Sequence, residues 1–141
     1  MREFTIYLAG GMNGVPSEEY NSRRNKITNL LLSNKPDRLL LNIVDPSKYY
    51  NYDFKYHETE KEILRWELNK VRNSNLIIVD LTVKKSVGTI IELAIAYENK
   101  IPIIGVNADK ENIHPWLEEI CDRTFSNIND GVDYVTGYYL W

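Results

Sequence analysis

The chain has 141 residues, 43% of them hydrophobic and 26% charged, the balance of one soluble globular domain, 1–141, with an ordinary core. A net charge of −3, with Lys and Arg scattered rather than clustered, leaves no footprint for duplex nucleic acid or an anionic membrane, although a free nucleotide needs only a local pocket. The lone Cys121 excludes an internal disulfide, and neither a signal peptide nor a membrane-length apolar run is present, so the expected location is the cytoplasm.

Phe4 to Ala9 is a short apolar run ended by Gly10 and Gly11, and it predicts a buried strand followed by a tight turn. Pro16, Ser17, Glu18 and Glu19 open a helix that continues to about Ser33. Leu39 to Val44 predicts a second strand, closed by Asp45 and Pro46. The loop from Ser47 to His57 carries Tyr49, Tyr50, Tyr52, Phe54 and Tyr56, a cluster able to stack on a planar base, pack as a lid or meet another subunit. A second helix is expected from about Thr59 to Asn73, a third strand over Leu76 to Leu81, and a helix starting near Ser86 to Thr89 beside the breaker Gly88. A fourth strand at Ile101 to Val106, a short helix from Ile113 to Cys121, a weak strand at Arg123 to Phe125 and a helix from about Asp130 complete the chain. This alternation predicts an α/β flavodoxin-like sandwich with a five-stranded, mainly parallel sheet in the order 2-1-3-4-5. In that order the turns after strands one and three face one crevice at the topological switch point, where ligands of such sheets bind.

Several polar residues fall where that crevice should be. Between Ile90 and Tyr97 the only polar side chain is Glu92, expected in or near the first helical turn, where the backbone dipole favours a negative charge. It is either a solvent-facing first-turn acid or an inward carboxylate held for chemistry. Glu67 lies inside the apolar stripe of Ile63, Leu64, Leu68 and Val71, four residues from both Ile63 and Val71. A side chain at a stripe edge can snorkel to water, but a second inward acid aimed at the same crevice points to function. Gly10, Gly11 and Gly14 can let backbone N–H groups approach a ligand, without the spacing of a dinucleotide fingerprint or P-loop. Ser86 can donate to an anion or simply cap its helix, the commoner job. Tyr7 can place its ring in the core and its hydroxyl in the crevice. His57 and His114 lack partners at metal spacing, so no metal site is expected, and nothing calls for a cofactor.

Tyr7-Leu8-Ala9-Gly10-Gly11-Met12, Glu67 leading into Leu68 to Asp80, and Ser86-x-Gly88-x-x-x-Glu92-Leu93-Ala94 together resemble the nucleoside 2-deoxyribosyltransferase family, which includes 2′-deoxynucleoside 5′-phosphate N-glycosidases. The likeness spans roughly residues 4 to 106, and the Gly-x-x-x-Glu-Leu element is its most specific part. The resemblance implies that Glu92 attacks the anomeric carbon of a deoxyribosyl group to form a covalent glycosyl-enzyme. It implies that Glu67, where the family usually has Asp, holds the base and manages its proton, with Tyr7 beside the sugar. Gly10, Gly11, Met12, Ser86 and Gly88 then form the substrate-binding set. A serine at position 86 matches the branch that contacts a 5′-phosphate. The resemblance also implies a homodimer or larger homo-oligomer with a neighbouring subunit completing each site. Asn112, His114 and Trp116 are candidates for that completing residue, and the aromatic tail Tyr134, Tyr138, Tyr139 and Trp141 suits either a subunit contact or helix packing.

The expected reaction is cleavage of the N-glycosidic bond of a nucleoside or its 5′-monophosphate, with transfer to another base or to water. Two alternatives stay open: a non-catalytic nucleotide-binding or sequestering protein, and a glycohydrolase acting on a dinucleotide such as NAD.

Overall fold

A computed structural model describes residues 1–12, 15–49 and 57–141. Its strands are β1 (Arg2–Gly10), β2 (Leu39–Val44), β3 (Leu76–Asp80), β4 (Ile103–Val106) and β5 (Arg123–Phe125). Its helices are α1 (Ser17–Asn34), α2 (Glu60–Arg72), α3 (Val87–Glu98), α4 (Pro115–Ile120) and α5 (Ile128–Val135). Every strand pair is parallel and the order is β2-β1-β3-β4-β5, as the alternation of elements predicts.

The sheet forms because its strands are apolar on both faces, the pattern of a sheet buried between helical layers. Alternation along each strand splits the apolar residues between two cores. Ile6, Leu8, Leu76, Ile78, Ile104 and Val106 face α1 and α5, where Ile27, Leu31, Val132 and Val135 meet them. Tyr7, Ala9, Ile77, Val79 and Ile103 face the other side and pack with Val71 of α2 and Leu93 and Ala96 of α3. The helix after β1 and the helix after β3 therefore lie on opposite faces, which opens the crevice between their turns.

Element ends follow local chemistry. β4 begins at Ile103 rather than Ile101, because Pro102 has no N–H to give the ladder and contributes only its carbonyl, to Ile77 N at 2.9 Å. α5 begins at Ile128 rather than Asp130, because the Asn127 side chain caps it by accepting from Asp130 N at 2.8 Å. A π-helical segment, Thr136–Leu140, continues α5. Here the aromatic tail packs on its own chain: Tyr134 stacks on Tyr138 at 5.2 Å, and Arg123 lies over the Tyr134 ring at 4.8 Å. No helix among the described residues is long and apolar enough to cross a membrane.

Candidate active site

The crevice is built where β1 and β3 end side by side, with Gly10 paired to Asp80. Gly10 has φ +149°, open to glycine and strained for other residues, and an added Cβ would lie 3.0 Å from the Asp80 carbonyl oxygen. At Gly11 a Cβ would come within 2.7 Å of Val83 Cβ and 2.8 Å of Ser86 Cβ. The absent side chain is thus what lets the turn after β1 close onto the loop after β3. Met12 continues the turn, its carbonyl accepting from Val15 N at 3.2 Å. Gly14 and the loop aromatics Tyr50, Tyr52, Phe54 and Tyr56 lie outside the described residues. The flanks of that loop are described, and both pack on α2: Tyr49 and His57 lie 4.5 and 5.6 Å from the Trp66 ring.

Glu92 is buried, 7% exposed, on the inner face of α3. α3 starts at Val87, so Glu92 sits in the second turn rather than the first, and no acid occupies the first turn. The helix start is capped instead by Ser86, whose Oγ accepts from the Thr89 N–H at 3.4 Å and from the Thr89 hydroxyl at 3.0 Å. The favourable field of the N-terminal dipole fades beyond the first turn, so it is not what sets the charge of Glu92. Burial pushes the Glu92 carboxyl up to about 8. The Tyr7 hydroxyl, donating to Oε2, opposes that rise; the negative charge of Glu67 adds to it; the positive charge of Arg24 opposes it. The expectation of a carboxylate kept ionised by its helix start is therefore corrected: burial, not the helix start, dominates at Glu92 and favours its protonated form.

Tyr7 is fully buried in the core between β1, α2 and α3, with its hydroxyl at Glu92. Glu67 is half-buried on α2 and near enough to act on Glu92 through its charge. Gly88 is exposed in the first turn of α3, with no atom within 4 Å of where its Cβ would stand. The fold therefore does not require a glycine there, which leaves open space above the helix start. The fold thus brings Tyr7, Glu67 and Glu92 together through a hydrogen bond and charge, and Gly11 against Ser86, with Gly10 paired to Asp80 and Gly88 two residues beyond Ser86. Asn112 and His114 precede α4 and Trp116 lies in its first turn; His114 caps the helix by accepting from Trp116 N at 3.1 Å, and Trp116 is 81% exposed.

Reading the sequence for inward acids misses the cations beside them. Arg24 is buried at 3% exposure, and its one available signal is its place on the buried stripe of α1, three residues before Ile27 and seven before Leu31. Arg23 Nε donates to Asp80 Oδ2 at 2.5 Å, while Asp80 Oδ1 accepts from Thr82 N at 3.0 Å and Thr82 Oγ1 at 2.6 Å. Lys84 ties the loop after β3 to the loop after β4, donating to Leu81 O, Asn107 Oδ1 and Asp109 Oδ1 at 2.6, 2.6 and 2.7 Å.

Known proteins share this architecture. A conserved protein from Enterococcus faecalis V583 superposes with TM-score 0.76 at 15% identity, covering 96% of this chain and 98% of its own. A 2-deoxyribosyltransferase from Bacillus psychrosaccharolyticus superposes with TM-score 0.73 at 16% identity, covering 92% and 91%. A CMP N-glycosidase from Clostridium botulinum gives TM-score 0.63 at 15% identity, covering 95% and 98%. At such identities these likenesses establish the fold. No curated protein sequence matches the chain. The family model for nucleoside 2-deoxyribosyltransferase matches residues 6–133, a span that takes in the C-terminal half of β1 and the whole of β3 and α3. The chain belongs to the nucleoside 2-deoxyribosyltransferase family.

Proposed function

We propose that the protein cleaves the N-glycosidic bond of a deoxynucleoside or its 5′-monophosphate, with Glu92 as the nucleophile. The observation that carries this reading is a buried carboxyl at the switch-point crevice whose hydrogen-bond partner is a phenol, not a cation. A carboxylate in such a place is poorly solvated and therefore reactive toward a carbon that gains positive charge as the base departs. Attack forms the bond from a Glu92 oxygen to the anomeric carbon and breaks the bond to the base nitrogen, whose electron pair leaves with the base. Glu67 helps hold the base and supplies or relays the proton that makes it a better leaving group, a step worth about 10² to 10⁴ in rate. Tyr7 holds Glu92 in line through its hydroxyl and is positioned to release that bond as the ester forms. A second base or a water then breaks the ester, giving transfer or hydrolysis with the anomeric configuration retained.

Membership of the family supports this chemistry. The 2-deoxyribosyltransferase from Bacillus psychrosaccharolyticus and the CMP N-glycosidase from Clostridium botulinum share the fold that presents the site. Ser86 favours a monophosphate: as an N-cap its oxygen accepts from Thr89, which leaves its own proton to donate, and the open space at Gly88 admits a phosphate to the N–H groups of the helix start. A homodimer is part of the proposal. α3 exposes Val87, Ile90, Ile91 and Tyr97, and α2 exposes Leu64, apolar side chains that a second subunit would cover.

One observation favours a second reading. A Glu92 protonated at neutral pH is a hydrogen-bond donor rather than a nucleophile, which suits a protein that binds a nucleotide without turning it over. Paired panels of nucleosides and 5′-monophosphates, incubated with and without an acceptor base and resolved by chromatography, separate the two readings. Free base that appears with the parent protein and not with Glu92→Ala is the expected result, and a new nucleoside that requires acceptor identifies transfer. Tight binding without turnover, unchanged in Glu92→Ala, would replace the catalytic reading with the binding one.

A further inference from the structure

Arg24, a positive charge that acts on Glu92, belongs to α1, which packs on the opposite face of the sheet from α3. β1 outruns β2: their register stops at Tyr7 and Val44, whereas β1 stays paired with β3 as far as Gly10 and Asp80. Leu8, Ala9 and Gly10 are left without a β2 partner. Arg24 occupies that stretch. Its Nη1 donates to the Leu8 carbonyl at 2.8 Å and its Nη2 to the Gly10 carbonyl at 3.0 Å, while Nη1 also reaches Asp45 Oδ1 at 3.1 Å. Asp45 directly follows Val44, so the guanidinium spans the gap where β2 has stopped and β1 has not. Asp45 Oδ1 is held in turn by Ser47, from its N–H at 3.1 Å and its hydroxyl at 2.7 Å.

Stability alone is a weak reason for this arrangement. Taking a guanidinium and a carboxylate out of water costs about as much as their attraction returns, and here Asp45 Oδ2 is buried with no hydrogen-bond partner among the described residues. The stretch it clamps is the one that positions the site: Tyr7 lies one residue before it, and Gly10 begins the turn that closes on Ser86.

We propose that Arg24 is a positioning residue for the Glu92 site, locking the unpaired end of β1 and supplying the positive charge that opposes Glu67 at Glu92. Charged and titratable groups reach Glu92 from each element around it: Tyr7 from β1, Glu67 from α2 and Arg24 from α1, with Asp45 at the end of β2 tempering Arg24. The significance of this role rests on Glu92 being the reacting carboxyl, but its test does not.

Glu92 can be titrated with no substrate present, by infrared difference spectroscopy of the carboxyl band that Glu92→Gln abolishes. In Arg24→Gln the midpoint moves upward, because the opposing charge is gone. In Arg24→Lys it returns toward the parent value, since the charge is restored although the two-carbonyl fork is not. A midpoint unmoved in Arg24→Gln overturns the proposal: an arginine with a merely structural role would lower the melting temperature and leave the titration in place. Should Arg24→Gln not fold, Asp45→Asn decides. It keeps Arg24 and removes its counter-charge, so the midpoint must fall, and one that stays or rises overturns the proposal. Absence of base release by the parent protein would overturn the catalytic reading alone, since this titration needs no turnover.

Discussion

Two carboxyl groups at the same end of the sheet are treated in opposite ways. Asp80, the last residue of β3, is tied down on both oxygens, by Arg23 on one side and by Thr82 on the other. Glu92, one loop and a turn of helix further on, is more deeply buried yet receives a phenol where Asp80 receives a guanidinium. A fully partnered carboxylate is part of the scaffold, because its charge is already answered. A buried one whose hydrogen bond comes from a neutral donor, with Arg24 acting on it through charge alone, carries a stored cost, and such costs are kept where a ligand will relieve them. The contrast teaches that burial alone does not set one carboxyl apart from another; the identity of its partner does.

Stability against pH breaks the comparison most sharply. The folded protein holds the Glu92 proton up to about 8, whereas the unfolded chain releases it near the ordinary glutamate value of about 4.3. Between those values the folded state binds more protons, so this group's contribution is full at low pH, is lost as pH rises toward 8 and is flat beyond. Glu92→Gln removes the slope, and at pH 9 the variant should be more stable than its parent by on the order of a few kcal/mol. Asp80→Asn should do the reverse, costing about 1–3 kcal/mol by leaving Arg23 half-answered. Urea unfolding at pH 6 and pH 9 reads both. Equal slopes for parent and Glu92→Gln would place Glu92 with Asp80 as scaffold.

Tyr7→Phe is the next largest expected effect. Losing the bond that opposes the rise should carry the acidic limb of the rate profile, where activity appears as Glu92 ionises, to higher pH and lower kcat/KM at pH 7 by about ten- to a hundredfold, the worth of a hydrogen bond to a charged group. Retention of the parent's profile would separate Tyr7 from the chemistry. Smallest is Gly88→Ala. With nothing near its Cβ, alanine should raise stability by roughly 0.5–1 kcal/mol through helix propensity. If a phosphate approaches there, KM for a monophosphate should rise while that for the free nucleoside stays put, and equal KM changes would remove the phosphate from that helix start.

Much of this was open to reading in one dimension. The apolar runs Phe4 to Ala9 and Leu76 to Leu81 announce strands buried on both faces, and the glycine pair after the first announces a tight turn, because each is a local requirement of packing or backbone geometry. The convergence of the two turns follows from strand order. The position of Glu92 within its helix was not legible to a turn, since Ser86 and Gly88 both mark a start and only the Thr89 bonds to Ser86 decide between them. Arg24 gave no local sign beyond its place on an apolar stripe, because its meaning lies in a strand that ends three residues early on a neighbouring segment.

The sequence by itself determined the strands, their parallel class, the family and the acids available to the crevice, for these rest on patterns of burial and motif carried by contiguous residues. Only the tertiary structure decided what those acids are. Tyr7 and Glu92 stand 85 residues apart in the chain and share a proton's bond in the fold, and the charge on a buried carboxyl is set by such neighbours and by the water they exclude.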